Sequence, residues 1–228
     1  LKKRLERSIK NNDEQEINLI REFISPGTDS IDIGVYRGVY SYEMSKYSKV
    51  VHSFEPNPIL LTNIKINLKK IIKNINFYNC ALSNKEGLVS LRVPIRNKDF
   101  NRKNYEEYFQ MGKASIHNEN KFDDFEVFNV ECQKLDNFNF SNKISFIKID
   151  VEGHETEVIK GSEKTIKNNK PILLVEIEEQ YTNKKVTDTL RYINSLGYSS
   201  FYFYNNKLFN TNNLSNLNTI NNFIFKPL

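Results

Sequence analysis

Hydrophobic positions along the chain follow two alternating rhythms. Short, nearly continuous apolar runs at residues 30–33, 50–54, 75–80, 144–149 and 171–178 have the length and β-branched content of buried strands. Between them, apolar residues return at helical spacing: Tyr40, Met44 and Tyr47; Leu60, Leu61, Ile64, Leu68, Ile71 and Ile72; Val158, Ile159 and Ile166. Strands alternating with amphipathic helices predict an α/β fold with a largely parallel sheet covered on both faces. Residues 13–24 read as a leading helix with Ile17, Ile20 and Ile24 on one face, stopped by Ser25-Pro26-Gly27. Asn57 is expected to cap a helix whose first residue is Pro58. Residues 81–87 read as a turn into an edge hairpin strand at 88–93, alternation resumes at 125–132, and Leu135-Asp136-Asn137-Phe138 is a turn or short helix.

The pattern lapses between residues 94 and 124, a stretch rich in Asn, Lys, Tyr and Phe. A long excursion of this kind is more often a functional cover than a plain connection, so it is read as a substrate-covering insertion. Tyr105, Tyr108 and Phe109 would offer flat faces to a sugar ring, or else pack as a satellite core under the loop. No repeat or linker divides the sequence, and residues 1–228 are expected to form one domain with a leading segment at 1–28.

Chemistry concentrates where strands give way to helices. In the run Asp32-Ile33-Gly34-Val35-Tyr36-Arg37-Gly38-Val39-Tyr40-Ser41 an acid and two glycines occupy a strand-to-helix turn, a place that suits a ligand. The next strand ends in Glu55, placed to hold the two hydroxyls of a ribose. A dinucleotide fingerprint carries three glycines and no acid inside the turn; Asp32 would repel a pyrophosphate and suits a cationic ligand. A second centre follows the run at 144–149, where Asp150, Glu152 and His154 leave the strand together beside Gly153. Glu155 and Glu157 read as ordinary first-turn acids. Glu176 and Glu178 end the neighbouring strand and add acids to the same mouth.

Composition narrows the class. With 228 residues, 39% hydrophobic and 27% charged, the chain can bury a core, and it is neither disordered nor membrane-spanning in composition. Its basic first residues lack the apolar centre of a signal peptide, so a cytoplasmic protein is expected. The two cysteines, Cys80 and Cys132, lie in strand patterns and are expected as buried free thiols. The net charge of +5 is spread along helices apart from Lys2-Lys3-Arg4 and Arg7, which reads as a solvated helix face and argues against nucleic acid as a partner.

Four blocks in order carry a resemblance: Asp32-Ile33-Gly34 through Gly38-Val39-Tyr40-Ser41, Phe54-Glu55-Pro56-Asn57-Pro58, Ala81-Leu82-Ser83, and Lys148-Ile149-Asp150-Val151-Glu152-Gly153-His154-Glu155. Together they resemble the FkbM-type family of S-adenosylmethionine-dependent methyltransferases over residues 29–197. The family's first block usually has Ala-Asn where this chain has Val35-Tyr36.

The resemblance implies a Rossmann-like methyltransferase fold: a seven-stranded, mostly parallel sheet with helices on both faces and an antiparallel last strand. Residues 182–196 fit as a helix stopped by Gly197, 198–204 as a strand and 222–226 as the closing strand. It further implies that Asp32, Gly34, Tyr36, Gly38, Tyr40 and Ser41 surround the methionine part of the cofactor. Glu55 would hold the ribose, Pro56 and Asn57 flank it, Ala81, Leu82 and Ser83 border the adenine, and Asp150 approaches the amino group. The implied reaction is methyl transfer to a hydroxyl of a sugar in a glycan, or of a lipid, natural product or macromolecule. His154 or Glu152 would take the hydroxyl proton, alongside Asp150. A divalent metal held by Asp150, Glu152 and Glu178 is the other route to activating it.

Overall fold

In the computed structural model, residues 2–10, 14–96, 109–116, 124–177, 185–213 and 220–228 are described. Strand β1 (Asp29–Ile33) is buried at every position because neighbours flank it on both sides. It pairs in parallel with β2 (Val51–Phe54), and β2 with β3 (Ile75–Tyr78). On its other side it pairs in parallel with β7 (Ile144–Ile149), which pairs with β8 (Ile172–Glu176). The chain thus runs outward through β2 and β3, then returns to the opposite side of β1. The crevice beyond the carboxyl ends of β1 and β7 is the topological switch point at which open α/β sheets bind ligands.

Beyond β8 the direction changes. Strand β11 (Asn222–Pro227) is antiparallel to β8 and to β9 (Tyr198–Tyr204), as expected for the closing strand. The sheet has eight strands rather than seven, because β10 (Lys207–Asn210) folds back on β9. Asn205 and Asn206, both at positive φ (47° and 59°), make the two-residue turn that a hairpin of this twist requires.

Alternation along the strands splits the core. Ile31, Ile33, Ile147, Ile149, Leu173 and Val175 face α5 (Glu155–Lys160), α6 (Glu163–Asn169) and α7 (Val186–Ser195), through Val158, Ile166, Leu190 and Ile193. Val51, Phe146, Leu174 and Ile224 face the other way. They meet Leu5 of α1 (Lys2–Lys10), Ile20 and Phe23 of α2 (Ile20–Phe23), Met44 of α3 (Val39–Met44) and Ile64 of α4 (Pro58–Leu68). Asn57 caps α4, its side-chain oxygen accepting from the N–H groups of Ile59 and Leu60, with Pro58 leading the helix.

Two expectations shift. The leading helix is interrupted: residues Gln15–Leu19 wind as a 3-10 turn before α2, with the Asn18 side chain donating to the Gln15 carbonyl. The third strand stops at Tyr78, because Asn79 turns to donate to the carbonyls of Glu55 and Pro56. Ala81–Leu82 then forms β4 in a second sheet of order β4-β6-β5, with β5 at Gly87–Pro94 and β6 at Phe125–Gln133. Its core holds Leu91, Val93, Val130 and Cys132, and Phe109 is buried among them against Phe128. Phe109 is therefore a packing residue and not an exposed flat face. Tyr105 and Tyr108 lie outside the described residues. Among those described, no helix is long and apolar enough to cross a membrane.

Candidate active site

The ends of β1, β2, β4 and β7 open onto one cleft of about 230 Å³, with residues 112–116 of the second sheet's neighbouring segment along it. Gly34 begins the turn after β1 at φ 86°, and a Cβ there would stand 1.7 Å from the Asp150 carbonyl oxygen. Its lack of a side chain lets the backbones leaving β1 and β7 touch. The room that the sequence pattern suggested for a ligand is taken by protein. Gly38 has a different reason: at φ 73° it opens α3, and a Cβ would meet Leu68 of α4 at 2.6 Å.

Glu55 is 5% exposed, lines the cleft, and has both oxygens fixed by the backbone. The N–H of Tyr36 donates to Oε2 (3.1 Å) and that of Asn57 to Oε1 (3.0 Å). Burial pushes its pKa up to about 7 despite these two bonds. The carboxylate is oriented, and each oxygen retains acceptor capacity toward the cleft.

Asp32 lies behind the cleft and does not line it. It projects from the α3 face of β1, where its Oδ2 accepts from Ser41 Oγ (2.5 Å), which is also 2.8 Å from Ser53 Oγ. Its Oδ1 is buried without a hydrogen-bond partner. Burial raises its pKa to about 6, against the pull of Lys148 and Ser41. Register sets Asp32 directly opposite Lys148 on β7. The Lys148 ammonium is 2.8 Å from Asp150 Oδ2 and 4.4 Å from the centre of the Tyr40 ring. Burial alone would lower its pKa, but the carboxylates of Asp150, Glu14, Asp32 and Glu176 outweigh burial and hold it above its ordinary value. Lys148 is thus a buried cation under an acidic mouth. The sequence carries a signal for it, a lysine inside an apolar strand, two residues before an acid on the same face.

The loop after β7 is shaped by Glu152 at φ 51° and Gly153 at φ 93°. Ser115 Oγ donates to the Glu152 carbonyl (2.8 Å) and joins the second sheet's segment to this loop. Glu155 stands in the first turn of α5 as expected and also anchors the loop: it is buried, accepts from the Gly153 N–H (2.8 Å), and burial lifts its pKa to about 7. His154 is buried at the start of α5 with Nε2 2.8 Å from Ser83 Oγ.

Of the residues singled out in the sequence, Gly34, Tyr36, Glu55, Pro56, Ala81, Leu82, Asp150, Glu152 and His154 line the one cleft. Asp32, Gly38, Tyr40, Ser41, Asn57 and Ser83 stand behind it as supports. Glu176 also lines it, and so does Glu14, which accepts from the Tyr40 hydroxyl (2.6 Å) and had no sequence signal. Among the described residues no three His, Cys, Asp or Glu side chains are grouped to hold a metal ion, and Glu178 lies outside them. Cys80 and Cys132 are free and buried.

Solved structures share this fold at low identity. The methyltransferase FkbM from Methylobacillus flagellatus KT aligns at 15% identity and TM-score 0.54 over 92% of this chain and 50% of that one, so the chain spans half that protein's length. An rRNA methylase from Streptococcus thermophilus aligns at 11% identity and TM-score 0.51, covering 94% and 95% of the two chains. SMU.1697c from Streptococcus mutans, solved in complex with SAH, aligns at 12% and 0.50, covering 94% and 97%. No curated protein matches the chain. The family model for the methyltransferase FkbM domain matches residues 32–200, which takes in every strand end that forms the cleft. The chain belongs to the FkbM family of methyltransferases and has a Rossmann-like fold.

Proposed function

We propose that the protein is an O-methyltransferase that uses S-adenosylmethionine to methylate a hydroxyl of a sugar in a glycan or polysaccharide. The observation that carries this reading is the acid-lined cleft, in which Glu14, Asp150, Glu152 and Glu176 share one cavity with the oriented Glu55. Carboxylates accept hydrogen bonds from a polyhydroxylated acceptor and repel a polyanion. The same acceptor set fits the cofactor. Glu55 would take two ribose hydroxyls, Ala81 and Leu82 border the adenine, and Asp150 faces the ammonium group. Once bound, S-adenosylmethionine supplies an electrophilic methyl group.

The chain's own residues then have three tasks. Gly112, Ala114, Ser115 and Ile116 form one wall of the cleft and would confine the acceptor there. Asp150, held 2.8 Å from the Lys148 ammonium, orients the amino-acid end of the cofactor. The acceptor's proton passes to the imidazole of His154, whose ring is oriented through Nε2 by Ser83, or to a carboxylate oxygen of Glu152.

A methyl-transfer assay against a carbohydrate panel tests the reading. His154→Gln or Glu152→Gln is expected to lower turnover by about a hundredfold or more while leaving cofactor affinity nearly intact. Activity abolished by chelator and restored by Mg²⁺ would assign proton removal to a metal. Transfer to none of the sugars, but to a lipid or RNA, would overturn the acceptor class.

A further inference from the structure

Glu14 reaches the cleft from the leading segment, not from a strand end. It precedes residues 32–200, the span that matches the family model, so membership of the family assigns it no role. Its backbone opens the 3-10 turn: the Glu14 carbonyl accepts from the Ile17 N–H (3.4 Å), while its side chain makes no capping bond to the turn. Ile17 and Ile20, 1% and 0% exposed, fix the turn in the core alongside Val35 and Met44. The mount is thus anchored by apolar packing, and the carboxylate is left to line the cleft.

Three contacts in series connect Glu14 to Asp150. The Tyr40 hydroxyl donates to Glu14 Oε2 (2.6 Å), the centre of the Tyr40 ring lies 4.4 Å from the Lys148 ammonium, and that ammonium is 2.8 Å from Asp150 Oδ2. Burial, and after it the Glu14 carboxylate, holds the Tyr40 pKa well above its ordinary value, so the hydroxyl keeps its proton and donates. Against burial, the Lys148 pKa is raised first by Asp150 and next by Glu14, so both acids act on one cation. An ammonium group arriving beside Asp150 meets a carboxylate already shared with Lys148, and the Lys148 charge repels it. A second carboxylate nearby restores the attraction. Glu14 lines the same cleft, is oriented by a buried hydroxyl, and keeps lone pairs free to accept from a ligand. We propose that Glu14 is a second carboxylate for the ammonium group of the cofactor, with Tyr40 as the residue that positions it. The inference rests on the cofactor of the proposed function and not on its acceptor.

Calorimetry on the full chain with SAH and with methylthioadenosine is the test, because the second ligand keeps the nucleoside and thioether but lacks the amino-acid end. Glu14→Gln still accepts from Tyr40 and removes only the charge. It is expected to weaken SAH by about tenfold and to leave methylthioadenosine within about twofold. Tyr40→Phe keeps the ring against Lys148 and loses the tether, and should weaken SAH by at least about threefold, again without moving methylthioadenosine. Unchanged SAH affinity in Glu14→Gln overturns the proposal. Equal weakening of the two ligands also overturns it, since Glu14 would then shape the cleft without contacting the ammonium. If the parent protein binds neither ligand, the cofactor reading falls and this inference with it. The expected difference between the ligands, found together with no methyl transfer to any sugar, would sink the acceptor reading and leave Glu14 in its role.

Discussion

Lys148 couples the two halves of the site. Its ammonium faces Asp150 at 2.8 Å and lies opposite Asp32, and it is only 2% exposed. Removing one partner of a buried charge cluster leaves the others uncompensated, so Lys148→Met is expected to cost about 3–5 kcal/mol. Denaturant unfolding would measure it, and a loss below about 1 kcal/mol would mean that water already screens the acids. Glu55 makes a separate prediction. Glu55→Ala removes a preoriented charged acceptor, with an expected loss of S-adenosylmethionine affinity of roughly tenfold or more by calorimetry. Unchanged affinity would remove the ribose assignment. At this scale the sequence identified Glu55, Asp150 and Glu152 at strand ends, because position along a strand is readable from alternation. That Asp32 stands behind the cleft was not legible, because the face on which a strand-end acid points depends on pairing with β7 and on Ser41 of α3.

Among the elements, the 34–38 turn is the most constrained. Its first glycine combines positive φ with a backbone contact that no side chain can share. Gly34→Ala is therefore expected to destabilise the protein by at least about 3 kcal/mol, read as a lower thermal midpoint, and to weaken cofactor binding with it. A midpoint within a degree or two of the parent would show that the turn can move away from Asp150. Most elements were legible in the sequence: β9 was expected at its observed bounds, and the Asn57-Pro58 start of α4 was read from capping chemistry. The missed hairpin at β10 did carry a signal, the paired asparagines at 205 and 206. The break after Tyr78 carried none, since it depends on Asn79 reaching carbonyls that folding brings near.

For the whole molecule, several buried carboxyls set a common pH response. Asp32 rises to about 6 and Glu55 and Glu155 to about 7, all first through burial. Each folded value lies above its unfolded one, so the folded state holds the extra protons. The stability contributed is full below the unfolded pKa values and is lost as pH rises through the folded ones. Thermal midpoints should accordingly fall between about pH 4.5 and 7.5, and the fall should be shallower in Glu55→Gln. An equal slope in the variant would show that Glu55 does not titrate in this range. The parallel sheet whose carboxyl edge carries the cleft was legible as strand–helix alternation, whereas the place of Glu14 in that cleft was not, since it precedes β1 by fifteen residues and only folding brings it there.

The contact between the backbones at Gly34 and Asp150 has a consequence for how such an enzyme can diversify. It ties the turn after β1 and the loop after β7 into one rigid block, so neither can be reshaped without disturbing the other. The second sheet touches that block more lightly, through Ser115 on Glu152 and through Gly112 packed under the Tyr36 ring. Retargeting the enzyme to new acceptors by directed evolution should therefore succeed by varying residues 112–116 and Tyr36, with the chemistry inherited unchanged beneath them.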